Sequence, residues 1–462
     1  MNTVSLKRNW LPTCVAIGLT VLVGCLNLVD VRLSLVMVIG LIVSFALYLK
    51  PSYALAALIC LAPFSGTALV GDKFAGIPGL RIINLALLAV VMVFILSKRR
   101  FSVKGPEIAF VLGSIVLLAI SVLRSMPHLH ILNFYFQESM GTGKYLISYL
   151  IKPVFFLLPF LIIVGYMRER IDVDFVIGCF KYSIFILSAC ILAFYLVDIG
   201  TGADFHYART RFGDFFGMHT NGLSDFYILG YPIVLAWFIY KKNTFNAINL
   251  VFTLASVAIL YSRTAYVLIV FSTIFFLVLD KKKKLLPAVM LLGICAVFLA
   301  PDTVIERGLT GIEERNLQAF SAGRVENIWM PLLDDVKRDP KKLLVGSGRY
   351  AIIHSSPLWK GHAHNMYLTT FLDTGIVGLS FFVLFFLYFL KEIRNGIRDV
   401  PKGKYRTLLA GTLVSIVAYL LSGMTGRNFF PEMSNSYLWI SLAISLNIVR
   451  MHQKERKLSH EI

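Results

Sequence analysis

Fourteen mostly apolar stretches alternate with short polar breaks along the 462-residue chain. They lie near 10–28, 33–49, 53–70, 82–97, 107–123, 145–166, 175–197, 222–240, 246–261, 264–280, 285–300, 364–390, 407–424 and 435–449. A helix crosses a hydrocarbon layer of about 30 Å with about 20 apolar residues at 1.5 Å each. The pattern therefore predicts an all-α polytopic membrane protein with about 14 transmembrane helices, 12 being the lower bound, and one long outer loop at 301–363. One continuous helix over 246–280 would be about 52 Å long, too long to cross once. Lys241 and Lys242 precede that run and four lysines at 281–284 follow it. Both ends therefore belong on one side, and the chain must turn near Ser262, Arg263 and Thr264 on the other.

Composition agrees: 57% of residues are hydrophobic and 15% charged, against about 25% charged in a soluble domain. The net charge of +19 does not imply nucleic acid, because the basic residues sit in clusters between apolar runs, where they set topology. With the N-terminus inside, inner segments hold 25 of the 45 Lys and Arg residues. Eighteen are outside, nine of them in the long loop, which escapes the charge bias. Both termini are thus expected inside. The six cysteines have no CxxC spacing and imply neither a disulfide framework nor a thiolate metal site. Residues 22–25 (LVGC) match a lipoprotein cleavage box, but an uncleaved first helix is the expectation since no polar domain follows.

On this topology the polar chemistry gathers at the outer face. The segment before the span at 222 reads RTRFGDFFGMHTNG, with Arg209, Arg211, His219 and Asn221. The turn carries Arg263. The long loop contains SAGRVENIW, with Arg324 and Trp329, then DPKKLLVGSGRY, with Pro340, Gly346 and Gly348, and it ends on His362, His364 and Asn365. Lys152, Asp225 and Asp373 lie a little deeper on the same side; Lys181 lies toward the inner half of its span. Arginine forks suit a diphosphate, and a histidine suits general-base work. His362-x-His364 lacks a carboxylate or cysteine partner, so no metal or other cofactor is assigned. Gly375 and Gly378 are expected to permit close helix packing. Asp373, nine positions after His364, falls on the opposite helix face and is not expected to orient it.

The order RFG…HTNG, SRTAY, GRVENIW…DP…GSG and HAHNMYL…GIVGL resembles the bacterial O-antigen ligase/polymerase superfamily over about residues 205–380. The resemblance implies a region of N-terminal transmembrane helices (1–200), a catalytic region (201–390) that includes the periplasmic loop, and C-terminal helices with a cytoplasmic tail (391–462). It implies catalytic roles for Arg211, Arg263 and His364, and substrate contacts at His219, Asn221, Arg324, Trp329, His362 and Asn365. The family often has Asn-Pro-Asn where this chain has His219-Thr220-Asn221, and a small residue at Thr264. The implied reaction moves a glycan from undecaprenyl diphosphate to a sugar hydroxyl of a lipid A-core or glycan acceptor. It would take place on the periplasmic side of the bacterial inner membrane, with inversion and without metal. Ligase and polymerase remain open, and a lipid-linked oligosaccharide flippase is the alternative outside the enzyme class.

Overall fold

The computed structural model describes residues 51–67, 90, 91, 94, 101–136, 141–167, 169–200, 203–287, 305, 324–349 and 363–461. The expected spans at 10–28 and 33–49, the LVGC box, nearly all of the spans at 82–97 and 285–300, and His362 lie outside these residues. Every regular element among the described residues is helical. The principal helices are α1 (Pro51–Leu61), α2 (Gly105–Ser125), α3 (Lys152–Tyr166), α4 (Arg170–Phe194), α5 (Phe205–Phe216), α6 (Thr220–Tyr240), α7 (Thr244–Ile259) and α8 (Arg263–Leu279). They continue with α9 (Met330–Lys337), α10 (Pro340–Val345), α11 (Met366–Asp399), α12 (Lys404–Ser422) and α13 (Ser436–Glu461).

Six helices among the described residues are long and apolar enough to cross a membrane, against the 14 read from the whole sequence. The shorter α7 and α8 form the expected antiparallel pair, with 16 and 17 residues and a turn at 260–262. Tyr261 sits in that turn with φ 52°, a conformation that lets the chain reverse in three residues. The side chain of Asn243 caps α7 by accepting from the Asn246 N–H at 2.9 Å, which fixes the break on the other side.

Helices α6, α12 and α13 form the centre of the bundle. From Ser436 to Val449 every residue of α13 is buried. Trp439 and Phe110 stack at 5.5 Å, and Phe382 stacks on Phe429 at 5.3 Å. Several polar groups in this core are paired locally: Ser415 donates to the Leu229 carbonyl at 2.7 Å, and Trp439 Nε1 donates to Asn435 Oδ1 at 2.9 Å. Such pairing is what an interior without water requires.

The two ends of the bundle differ. At one, Lys404 pairs with Asp174 at 2.5 Å, and Lys181 lies 4.8 Å from the Phe245 ring and 5.3 Å from the Trp237 ring. Helix α6 runs from there to His219 at the other end, where the candidate site lies.

The close approach expected of the α11 glycines is seen at Gly375, against the end of α10. Gly375 (φ 69°, ψ −170°) breaks the helix, and a side chain there would strike the Leu344 carbonyl. It admits the last turn of α10 and the 346–349 segment that follows it. Ser347 N–H donates to the Leu372 carbonyl at 2.7 Å, and Gly348 N–H to the Asp373 carbonyl at 3.1 Å. The Arg349 Nη1 pairs with Asp373 Oδ2 at 2.8 Å, both side chains almost wholly buried. This assigns Asp373, unexplained by sequence, to docking the loop.

Candidate functional site

His364 sits one residue before the capping position of α11. Asn365 Oδ1 accepts from the Tyr367 and Leu368 N–H groups at 3.0 and 3.1 Å, so this buried amide caps a helix instead of facing a substrate. His364 itself has φ 49°, a region rarely used by residues with a Cβ and found where surrounding contacts impose it. Those contacts are visible. Trp329 Nε1 donates to the Ala363 carbonyl at 2.6 Å. On the other side, Gly426 (φ 105°) packs closely, since a Cβ there would come within 3.3 Å of the His364 Cα, tighter than an ordinary contact. Trp329 thus spends its indole N–H on the backbone that carries His364.

The turn containing Gly426 also reaches Arg263. Thr264 Oγ1 donates to Thr425 Oγ1 at 3.2 Å, which ties the start of α8 to residues 423–426. The threonine that departs from the family pattern therefore has a structural bond of its own. The segments with Arg263 and His364 meet at this turn, and Trp329 joins them through the Ala363 carbonyl.

The electrostatics follow the same chain of neighbours. Burial and then the adjacent Arg324 charge hold the His364 imidazole below its usual range. Burial and then Arg263 weaken the proton affinity of Arg324 in turn. His219 Nδ1 accepts from the Asn221 N–H at 3.0 Å, so a neutral ring carries its proton on Nε2, as a donor. Burial, followed by Arg209, Arg427 and His364, pushes His219 down to about 4. Both histidines keep solvent contact, with protein packed behind them. The result is two neutral imidazoles among arginines 209, 263, 324 and 427, at one end of the bundle: a donor, a base and several cations.

Other expected residues lie elsewhere. The Arg211 fork rests on Asp198, with Nε–Oδ2 at 2.7 Å and Nη2–Oδ1 at 2.5 Å. Two positions apart on α5 is a rotation of about 200°, so Arg209 and Arg211 point to opposite sides, and Arg209 is the one beside His219. Lys152 follows a single π turn at 147–151 and lines an apolar cavity with Leu58, Phe155, Pro159 and Ile440. Sequence reasoning missed Arg427. Its only signal was to be the single basic residue of the 425–434 connection.

No curated protein matches the chain. Residues 248–383 match the family described as O-antigen ligase, a stretch that holds Arg263, Arg324, Trp329 and His364 but begins after His219 and ends before Arg427. The chain is thus similar to the O-antigen ligase family over that stretch, set among described helices of which six are long and apolar enough to cross a membrane.

Proposed function

We propose that the protein is a metal-independent, inverting membrane glycosyltransferase acting at the periplasmic face of the bacterial inner membrane. It takes a glycan from undecaprenyl diphosphate and joins it to a sugar hydroxyl, as an O-antigen ligase or surface-polysaccharide polymerase. The observation that carries this reading is the convergence of Arg263, Arg324, His219 and His364 at one end of the bundle. The diphosphate meets Arg263 and Arg324, whose mutual repulsion an anion relieves. Neutral His364 accepts the acceptor hydroxyl proton as that oxygen attacks the anomeric carbon. The bond from that carbon to the diphosphate oxygen breaks, and undecaprenyl diphosphate leaves with the electron pair. His219 offers its Nε2–H to a substrate oxygen.

Arg211 joins by exchange. Its partner Asp198 is 27% exposed and Arg211 38%, and a solvent-screened pair of this kind is weak. A diphosphate can therefore displace the carboxylate at small cost.

The test is transfer from undecaprenyl-diphosphate glycan by the purified full chain, with EDTA present. His364→Ala should insert and accumulate normally yet lose about 10²- to 10⁴-fold in rate. Parent-level turnover by this variant, or restoration of an EDTA-silenced enzyme by divalent ion, rejects the mechanism. Lipid-linked glycan crossing vesicles without transfer would favour the flippase reading.

A further inference from the structure

Arg427 lies outside the matched family segment and outside every expected site, yet it sits beneath the mouth of the site. Its partner Asp225 is six residues past His219 on α6, about 9 Å along the helix axis. The Arg427 Nε faces Asp225 Oδ1, and both side chains are nearly inaccessible, at 4% and 3% exposure. The guanidinium continues toward the site: Nη1 donates to the Gly426 carbonyl at 3.4 Å, and Gly426 is the residue flat against His364.

Two of the three nitrogens make no hydrogen bond among the described residues: Nε, which faces Asp225 as an ion-pair partner, and Nη2. Arg427 Nη2 is buried and has no hydrogen-bond partner among the described residues. Its surroundings are otherwise well ordered. Asn435 Nδ2 bonds the carbonyls of Asn428 and Phe430 at 3.1 and 3.0 Å, and Tyr419 OH donates to the Asn428 carbonyl at 2.7 Å. The backbone around it is bonded, while Nη2 has neither an acceptor nor a counter-ion among the described residues, and a buried donor left so carries a cost.

We propose that Arg427 is a substrate ligand, whose Nη2 takes an anionic phosphate oxygen of the lipid-linked donor while Asp225 holds the guanidinium in place. A planar fork fixed on one edge by a carboxylate presents its other edge at a defined angle, which lysine cannot do. The proposal rests on reading the site as one for a diphosphate donor and adds a ligand to it from the 423–427 turn.

Binding to the detergent-solubilised full chain is measured with geranylgeranyl diphosphate, with inorganic diphosphate and with geranylgeraniol. Arg427→Lys, which keeps the charge beside Asp225, should weaken geranylgeranyl diphosphate binding by about tenfold or more. Asp225→Asn should tighten it, because the buried guanidinium then lacks its internal counter-charge. Should Arg427→Lys be unfolded by its melting curve, the double variant Arg427→Gln/Asp225→Asn, which buries no lone charge, replaces it with the same expected loss. Parent-like binding by the lysine or double variant overturns the role of Arg427 and leaves the donor reading intact, as does an equal loss in Asp225→Asn. A parent chain that binds geranylgeraniol as tightly as its diphosphate overturns both. Inorganic diphosphate binding with the same dependence on Arg427 assigns the contact to the anion alone; dependence seen only with the prenyl form assigns it to the lipid-linked donor. Either supports the ligand role.

Discussion

His364 and His219 invert the usual expectation for histidines near neutral pH. Each is held neutral: His364 by burial and then Arg324, His219 by burial and then Arg209, Arg427 and His364. A base whose folded pKa lies below 6.5 remains competent as the medium is acidified past 6.5, so the acid limb of the rate profile should lie lower than that of an unperturbed imidazole. The check is kcat against pH in purified enzyme; an acid limb at or above 6.5 counts against this assignment. The same shifts act on stability. A histidine that resists protonation in the fold stabilises it fully above its unfolded pKa near 6.5, and that contribution is lost as pH falls toward the folded pKa, about 4 for His219. Melting temperature should therefore drop between pH 7 and 5, and His219→Gln should flatten the drop. Arg263→Lys keeps charge but loses the fork, so transfer should remain impaired; a lysine variant with parent-like rates would return Arg263 to marking a turn.

At the scale of elements, the bond from Trp329 Nε1 to the Ala363 carbonyl makes the outer-loop helix part of the machinery that sets the His364 backbone. Trp329→Phe removes the donor and keeps the ring. Its kcat should fall on the order of tenfold with KM little changed, and the melting curve should stay close to the parent. A change in KM alone would instead make Trp329 the substrate contact that sequence reasoning assigned. The bond itself leaves no trace in the sequence. Residues 324–329 and 363–365 are 34 or more positions apart, and a side-chain-to-backbone bond across that gap has no periodic signature. The same holds for Asn365, a polar residue before an apolar run, which reads equally as ligand or cap until its acceptors are seen. What was legible were features set by one-dimensional physics: the apolar lengths, the forced turn between α7 and α8, and the resemblance carried by Arg263, Arg324 and His364. The opposition of Arg209 and Arg211 was also within reach, since two positions on a helix always face apart. The pair Arg349–Asp373 was not, because it depends on the Gly375 break. Arg349→Ala should destabilise by about 3–5 kcal/mol through the stranded buried carboxylate, with a combined Arg349→Met/Asp373→Leu change costing less.

For the whole molecule, the placing of Lys181 and Lys404 at one end and of the arginine–histidine cluster at the other gives the topology a direct check. Single cysteines replacing the exposed Glu326 and Lys391, in a cysteine-free chain, should label from the outside and the inside respectively. Labelling of both from one side would remove the periplasmic assignment. Gly348 is unsuited to such a probe, because its φ of 103° and its packing against Ser121 and Ser125 leave no room for a side chain.

The turn at 423–427 has one more consequence, for transplantation. It holds Thr425, Gly426 and Arg427 against three segments of the site, yet it is separated from them by the whole of α12 and lies beyond the matched stretch. The stretch recognisable as the family domain is consequently not a portable cassette. A chimera that exchanged residues 248–383 for those of a relative would import a histidine and two arginines and set them against a foreign clamp, whereas an exchange of 205–435 would carry the clamp with its load.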